Sequence, residues 1–369
     1  MKGKNINRRD FIRNSIIAVG ALGFTEMNVS AHNLIVPKSV ASSPSSEKKK
    51  LYFNKDGKFK IVQFTDIHAI HKPGETDPAY PIMNRILDLE KPDFVIYTGD
   101  IATDNNPEDL WEKITGMAYE RGIPFAVVFG NHDSQFDVPR NELMNLVAGL
   151  NGCLNTPKPE SMSDVFGETN QVIPIYHSDN PSKKCFILYL FDSNASIDLP
   201  NAPHQYDWIK DSQIEWYKKQ SKQLTKENSG TPYPAIAFFH IPLPEYVTAY
   251  NNPLYKPAGY RLEKECTPTF NSGLFSAFAD CKDVKGAFVG HDHDNDYVSF
   301  YNGIALGYGR FSGGLNAYHS LCRGARVFEL TENKETFETW VRLENNRPIC
   351  RITVPDSFTK SGSQNKSNS

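Results

Sequence analysis

Five short apolar runs in this chain each stop at a residue with a strong nitrogen or oxygen donor. Phe59–Phe64 runs into Thr65-Asp66-Ile67-His68, Asp93–Tyr97 into Thr98-Gly99-Asp100, and Pro124–Phe129 into Gly130-Asn131-His132-Asp133. Further on, Ala235–Phe239 stops at His240, and Gly286–Val289 at Gly290-His291-Asp292-His293. Runs of this length, rich in β-branched and aromatic residues and bounded by glycine and polar groups, read as buried strands. Another strand reads over Cys185–Phe191, and consecutive strands over Tyr297–Leu343. Helical spacing is found at Pro81–Leu89, Pro107–Arg121, Arg140–Leu150, Asp211–Leu224 and Phe270–Ala279. Strands alternating with helices predict an α/β fold, in which function gathers at the carboxyl ends of the strands. The five run ends therefore converge on one place.

What converges there is a mixed donor set. Asp66, His68, Asp100, Asn131, His240, His291 and His293 offer imidazole, carboxylate and amide groups. That mixture suits zinc, iron or manganese, not copper(I) or an iron–sulfur cluster. It also exceeds what one ion needs. Two divalent ions (Mn, Fe or Zn) with Asp100 shared between them are the economical reading. Paired ions acidify a bridging water and clamp an in-line displacement at phosphorus. Glycines beside Asp100 and Asn131 permit the sharp turns that such a site requires.

The motifs Asp-x-His, Gly-Asp, Gly-Asn-His, a single His and Gly-His-x-His, in this order, resemble the calcineurin-like metallophosphoesterase family over roughly residues 58–343. Phe239–Glu245 and Gly290–Tyr297 look most like the single-domain branch related to purple acid phosphatases, and Gly307-Tyr308-Gly309 and Ala325-Arg326-Val327 agree. The resemblance implies a four-layer α/β/β/α sandwich of two mixed sheets, with the metal site at strand carboxyl ends. It implies a first ion on Asp66, His68, Asp100 and His293, and a second on Asp100, Asn131, His240 and His291. His132 matches the proton donor to the leaving group. The implied reaction is hydrolysis of phosphate monoesters by in-line attack of a metal-bridging hydroxide. Phosphodiesters or pyrophosphate-linked nucleotides are alternatives on the same site, and a non-catalytic phosphate-recognition protein is the reading from another class. One position departs from the purple enzymes: their tyrosine ligand, three residues after the bridging aspartate, is Thr103 here. A purple colour is therefore not expected.

Several neighbours have plainer readings. His71 reads as solvated, Asp133 as orienting the His132 loop, and Asp292 as pointing away from its histidine neighbours. Asp192 and Ser193 read as site rim or turn cap, while Asn295, Asp296, Tyr308 and His319 are pocket candidates. Trp208 and Trp216 read as packing a helix onto the sheet.

Near its start the chain carries Asn7-Arg8-Arg9-Asp10-Phe11-Ile12-Arg13 and then an apolar stretch, Ser15–Phe24. This resembles a twin-arginine export signal, cleaved after Ala31. The stretch is too short to span about 30 Å of hydrocarbon, so the reading is export to a bacterial periplasm or secretion without a transmembrane span. The domain reading is 1–31 export signal, 32–57 linker and leading segment, 58–345 phosphoesterase domain and 346–369 polar tail. Residues 151–182, 201–207 and 248–269 read as long site-shaping loops. Six cysteines contain no C-x-x-C pair, which excludes a zinc ribbon or a redox motif of that kind. With 40 basic and 43 acidic residues the net charge is −3, giving no basis for general nucleic-acid binding. The expected partner is a phosphorylated small molecule or nucleotide.

Overall fold

The computed structural model describes residues 48–200 and 202–359. The expected export signal, residues 32–47 of the linker and residues 360–369 of the tail lie outside the described residues. Two mixed sheets carry the fold. The seven-stranded sheet runs, in spatial order, β1 (Leu51–Tyr52), β5 (Gln171–Tyr176), β6 (Lys184–Leu190), β9 (Ala235–Phe238), β10 (Val284–Val289), β12 (Ile304–Tyr308) and β11 (Val298–Tyr301). The six-stranded sheet runs β15 (Pro348–Val354), β14 (Phe337–Leu343), β13 (Gly324–Thr331), β2 (Lys58–Phe64), β3 (Phe94–Thr98) and β4 (Phe125–Val128). Within them β2, β3 and β4 are parallel, as are β6, β9, β10 and β12. The site-bearing loops therefore leave from one end of the molecule.

The strands are apolar on both faces because both faces are covered. In β3, Phe94 and Ile96 point between the sheets, whereas Val95 and Tyr97 point outward to the helices. In β6, Leu188 and Leu190 point inward, and Ile187 and Tyr189 outward. The six-stranded sheet is covered by α1 (Ala79–Glu90), α2 (Glu108–Tyr119) and α3 (Arg140–Gly149). The other is covered by α4 (Asp211–Glu227), α5 (Glu245–Tyr250) and α6 (Leu274–Cys281). Between the sheets, the Phe288 and Phe328 rings meet edge to face at 4.6 Å, a geometry favoured by the ring quadrupoles. This is the four-layer sandwich implied by the resemblance. No helix among the described residues is long and apolar enough to cross a membrane.

The described body is larger than residues 58–345. Leu51–Tyr52 adds a parallel strand to β5, and Leu51 and Phe53 are buried, so the leading segment is partly core. The chain beyond 345 is not simply a polar tail. Strand β15 pairs antiparallel with β14, and the short α7 (Asp356–Thr359) buries Phe358 against Phe300. The loop reading of residues 151–182 missed β5. Within the other expected loop, Ala202–Tyr206 forms β8, which pairs with β7 (Ser196–Leu199) in a separate hairpin. Trp216 packs on Phe191 as expected, but Trp208 precedes α4 and lies half-buried against Phe270.

Candidate metal centre

Three parallel strands of one sheet and two of the other deliver the donors. Asp66 and His68 follow β2, Asp100 follows β3, Asn131 and His132 follow β4, His240 follows β9, and His291 and His293 follow β10. The chain must turn sharply to aim these side chains back at one point. Asp66 (φ 55°), His68 (φ 49°), Asp100 (φ 53°) and His291 (φ 78°) consequently sit in the left-handed region, which costs a non-glycine residue about 1–3 kcal/mol. A Cβ on Gly99 would collide with the His240 ring, and one on Gly130 with the Asp100 carboxylate. Only glycine lets these backbones pass so close.

Two donor groups result. Asp66, His68 and His293 form the first, and Asp100, His240 and His291 the second; within each, donor atoms lie within 4.8 Å of one another. His68 Nε2 is 3.1 Å from His293 Nε2, and His291 Nδ1 is 3.3 Å from His240 Nε2. Asp100 stands between the groups: its Oδ2 is 3.6 Å from His68 Nε2 and 3.2 Å from His240 Nε2. Asn131 joins them through its neighbours, since His132 donates its backbone N–H to Asp100 Oδ1 (2.8 Å). Asn131 Oδ1 is buried without a hydrogen-bond partner among the described residues. Leaving such an oxygen unpaired costs about 1–3 kcal/mol, which a bound cation would relieve. With nitrogen and oxygen donors only, the set fits two borderline or hard divalent ions.

The rings are pre-oriented for this. His240 Nδ1 faces the carbonyl of Thr98 (2.8 Å) and His293 Nδ1 that of Tyr318 (2.7 Å). A carbonyl only accepts, so each Nδ1 carries the proton and each Nε2 turns toward the ions. In the metal-free chain the charges compensate one another. Burial alone would raise the Asp100 carboxyl, but His240, His132 and His68 hold it well below its usual range. Burial opposes protonation of His240 too, yet Asp100 raises it to about 9. His68, where burial prevails over Asp100, is lowered to about 3.

The supports of the site were less legible than the donors. Asp133 accepts the backbone N–H groups of Asp100 (2.8 Å), Ile101 (2.7 Å) and Gly130 (2.7 Å), tying two donor loops together; its expected orienting role is of this kind. Arg140 was not singled out. It donates to both oxygens of Asp192 (2.6 and 3.1 Å) and to the carbonyl of Gly130 (2.9 Å), fastening the Asn131–His132 loop to the other sheet. A cation in the first turn of a helix opposes the macrodipole, and that was the available signal. Ser193 Oγ accepts the backbone N–H of Ile241 (3.0 Å) beside His240.

The remaining candidates lie outside the donor groups. His71 is exposed and paired with Asp104 (3.1 Å) and Asp109 (2.9 Å). Asp292 points away, accepting the Tyr308 hydroxyl (2.8 Å). Asp296 pairs with Arg310, Asn295 accepts the N–H of Leu262 (3.1 Å), and His319 stacks on Phe311 (4.7 Å). Each of these contacts ties one loop to another part of the chain. Tyr206 of the hairpin sets its ring edge-to-face on His291 at 4.4 Å, a rim contact the sequence reading passed over.

Comparison with known proteins points one way. A family model described as calcineurin-like phosphoesterase matches residues 59–295. "Probable inactive purple acid phosphatase 14" of Arabidopsis thaliana is 30% identical over 92% of this chain and 91% of its own. "Phosphatase DCR2" of Saccharomyces cerevisiae is 31% identical over 79% of this chain and 54% of its own. Among solved structures, a dimetal phosphatase from Danio rerio shares the fold, with a TM-score of 0.55 and 13% identity over 80% of this chain and 98% of that one.

Proposed function

The chain belongs to the calcineurin-like phosphoesterase family, and we propose that it is a binuclear-metal hydrolase of phosphate monoesters. The observation that carries this reading is Asp100, whose Oδ2 faces His68 of one donor group and His240 of the other. Asp66, His68, Asp100 and His293 would hold the first ion, and Asp100, Asn131, His240 and His291 the second. Bound there, two divalent ions stabilise charge on the phosphoryl oxygens and acidify water as the nucleophile. His132 is more exposed than these donors, and its ring stands 5.4 Å from that of His68. Its Nδ1 faces the Gln135 side-chain oxygen, so Nε2 is the atom that hands a proton to the leaving oxygen. Tyr206 would meet the organic part of a phosphorylated small molecule or nucleotide. With Thr103 in place of a tyrosine ligand, the loaded protein would lack the purple tyrosinate colour.

The word "inactive" in the names of three relatives from Arabidopsis thaliana gives weight to a second reading: a metal-bound protein that recognises phosphate without cleaving it. Metal content of the purified chain, with turnover of p-nitrophenyl phosphate and bis-p-nitrophenyl phosphate, separates the two. Faster cleavage of the monoester is the expected result. Preference for the diester moves the assignment to a phosphodiesterase, and two bound ions with no turnover of either leave recognition alone. We also propose export by the twin-arginine route to a periplasm or beyond. Replacing Arg8 and Arg9 by lysine should then retain the protein in the cytoplasm, and unchanged export would refute that route.

A further inference from the structure

At the opposite end of the sandwich, three donors of different chemistry meet between the sheets. His177 follows β5 and Cys185 is the second residue of β6, both in the seven-stranded sheet, whereas Glu332 follows β13 in the six-stranded one. Strand β6 ends near Asp192, beside the candidate centre. At about 3.3 Å per residue, Cys185 is roughly 20 Å from that end. An imidazole nitrogen, the sulfur and a carboxylate oxygen lie within 4.8 Å of one another. His177 Nδ1 is 2.7 Å from Glu332 Oε1, and His177 and Cys185 are each only 7% exposed.

The backbone around these groups orients them. Ser178 donates its N–H to Glu332 Oε1 (3.0 Å) and its hydroxyl to Oε2 (2.8 Å). The Asn333 N–H points at Cys185 Sγ (3.3 Å). The sulfur thus faces a backbone donor on one side and the His177 and Glu332 donors on the other. Partners that fix ligand orientation are what metal sites use, and removing one commonly weakens metal affinity about 10–100-fold.

We propose that His177, Cys185 and Glu332 bind a zinc ion that staples the two sheets together at the end remote from the candidate centre. A thiolate with imidazole and carboxylate selects zinc over manganese, magnesium or calcium. Zinc–donor bonds of about 2.0–2.3 Å place tetrahedral donors roughly 3.3–3.8 Å apart, a spacing these side chains reach by small rotations. On binding, Cys185 releases its proton to solvent and the fourth position is left to water. With metal also at the candidate centre, the two sheets would be tied by bound ions at both ends.

Cobalt(II) tests this directly, because the candidate centre has no sulfur donor and gives no thiolate-to-cobalt charge-transfer band. Metal-free wild-type protein titrated with cobalt should develop that near-ultraviolet band. Cys185→Ala should abolish it while turnover of p-nitrophenyl phosphate, where present in the wild type, is unchanged. A wild-type protein without the band, or a band that survives Cys185→Ala, overturns the proposal. Should Cys185→Ala fail to fold, Glu332→Gln is read instead: a tenfold or greater loss of cobalt affinity in the band titration supports the site, and unchanged affinity overturns it.

Discussion

The two sheets bring unequal halves to the candidate centre. The six-stranded sheet supplies both carboxylates and the amide, Asp66, Asp100 and Asn131, together with His68 and His132; the seven-stranded sheet supplies imidazoles alone, His240, His291 and His293. The backbone follows the same division. Three of the four donors with positive φ leave the six-stranded sheet, and only His291 leaves the other. Each donor group draws on both sheets, so neither sheet forms a site alone. Anionic charge gathered on one side binds cations only when the neutral rings of the other complete the coordination. The site is a seam that bound metal would bridge.

Breaking the anionic half should have the largest effect. Asp100→Asn removes the shared carboxylate, and turnover should fall on the order of 10³-fold or more together with much of the bound metal. Activity near wild type, by assay and metal analysis, would show that Asp100 does not bridge. His132→Ala should lower kcat about 10²–10⁴-fold with both ions retained. Loss of metal from that variant would instead make His132 a ligand. The cross-sheet fastening comes next. Asp192→Ala strands the Arg140 cation, and breaking a buried pair costs about 3–5 kcal/mol. The melting temperature should fall clearly, and loosening of the Asn131–His132 loop should cut kcat by up to about 10²-fold.

The smallest effect contrasts one ring from each sheet. His240 is raised to about 9 in the metal-free fold, above an unfolded value of about 6.5. Between these values the fold binds more protons than the unfolded chain, so stability falls as pH rises through 9. His68 is lowered to about 3, so below pH of about 6.5 the unfolded chain binds more protons, and stability falls in the acid direction. Melting curves of chelated protein should therefore peak near neutrality, dropping by a few degrees on either side. Metal should remove the alkaline drop, because His240 is then a neutral ligand. A flat alkaline limb without metal would show that His240 is not held protonated.

The donors were legible because each ends an apolar run, and both the run and the donor are local features of the chain. The supports were not, because they are pairings across distance. Arg140 and Asp192 are 52 residues apart, and nothing in either segment names the other. Elements at the sheet margins were missed for a related reason. Strand β15 carries only one fully buried residue, Val354, and no clean alternation, so its place is decided by pairing with β14. The hairpin β7–β8 lies outside both sheets and buries little, leaving no apolar pattern to find.

The neighbour of β2 in its sheet, on the side away from β3, is β13, from the far end of the sequence: Arg326 is registered with Gln63 and Thr331 with Lys58. During synthesis the strand that carries Asp66 and His68 emerges early but stays open on that edge until residues 324–331 arrive. Closing so long an interval makes assembly slow and places it late. A nascent chain can thus present the carboxylates long before it owns a pocket, and the seam becomes able to capture ions only when almost the whole body has been made.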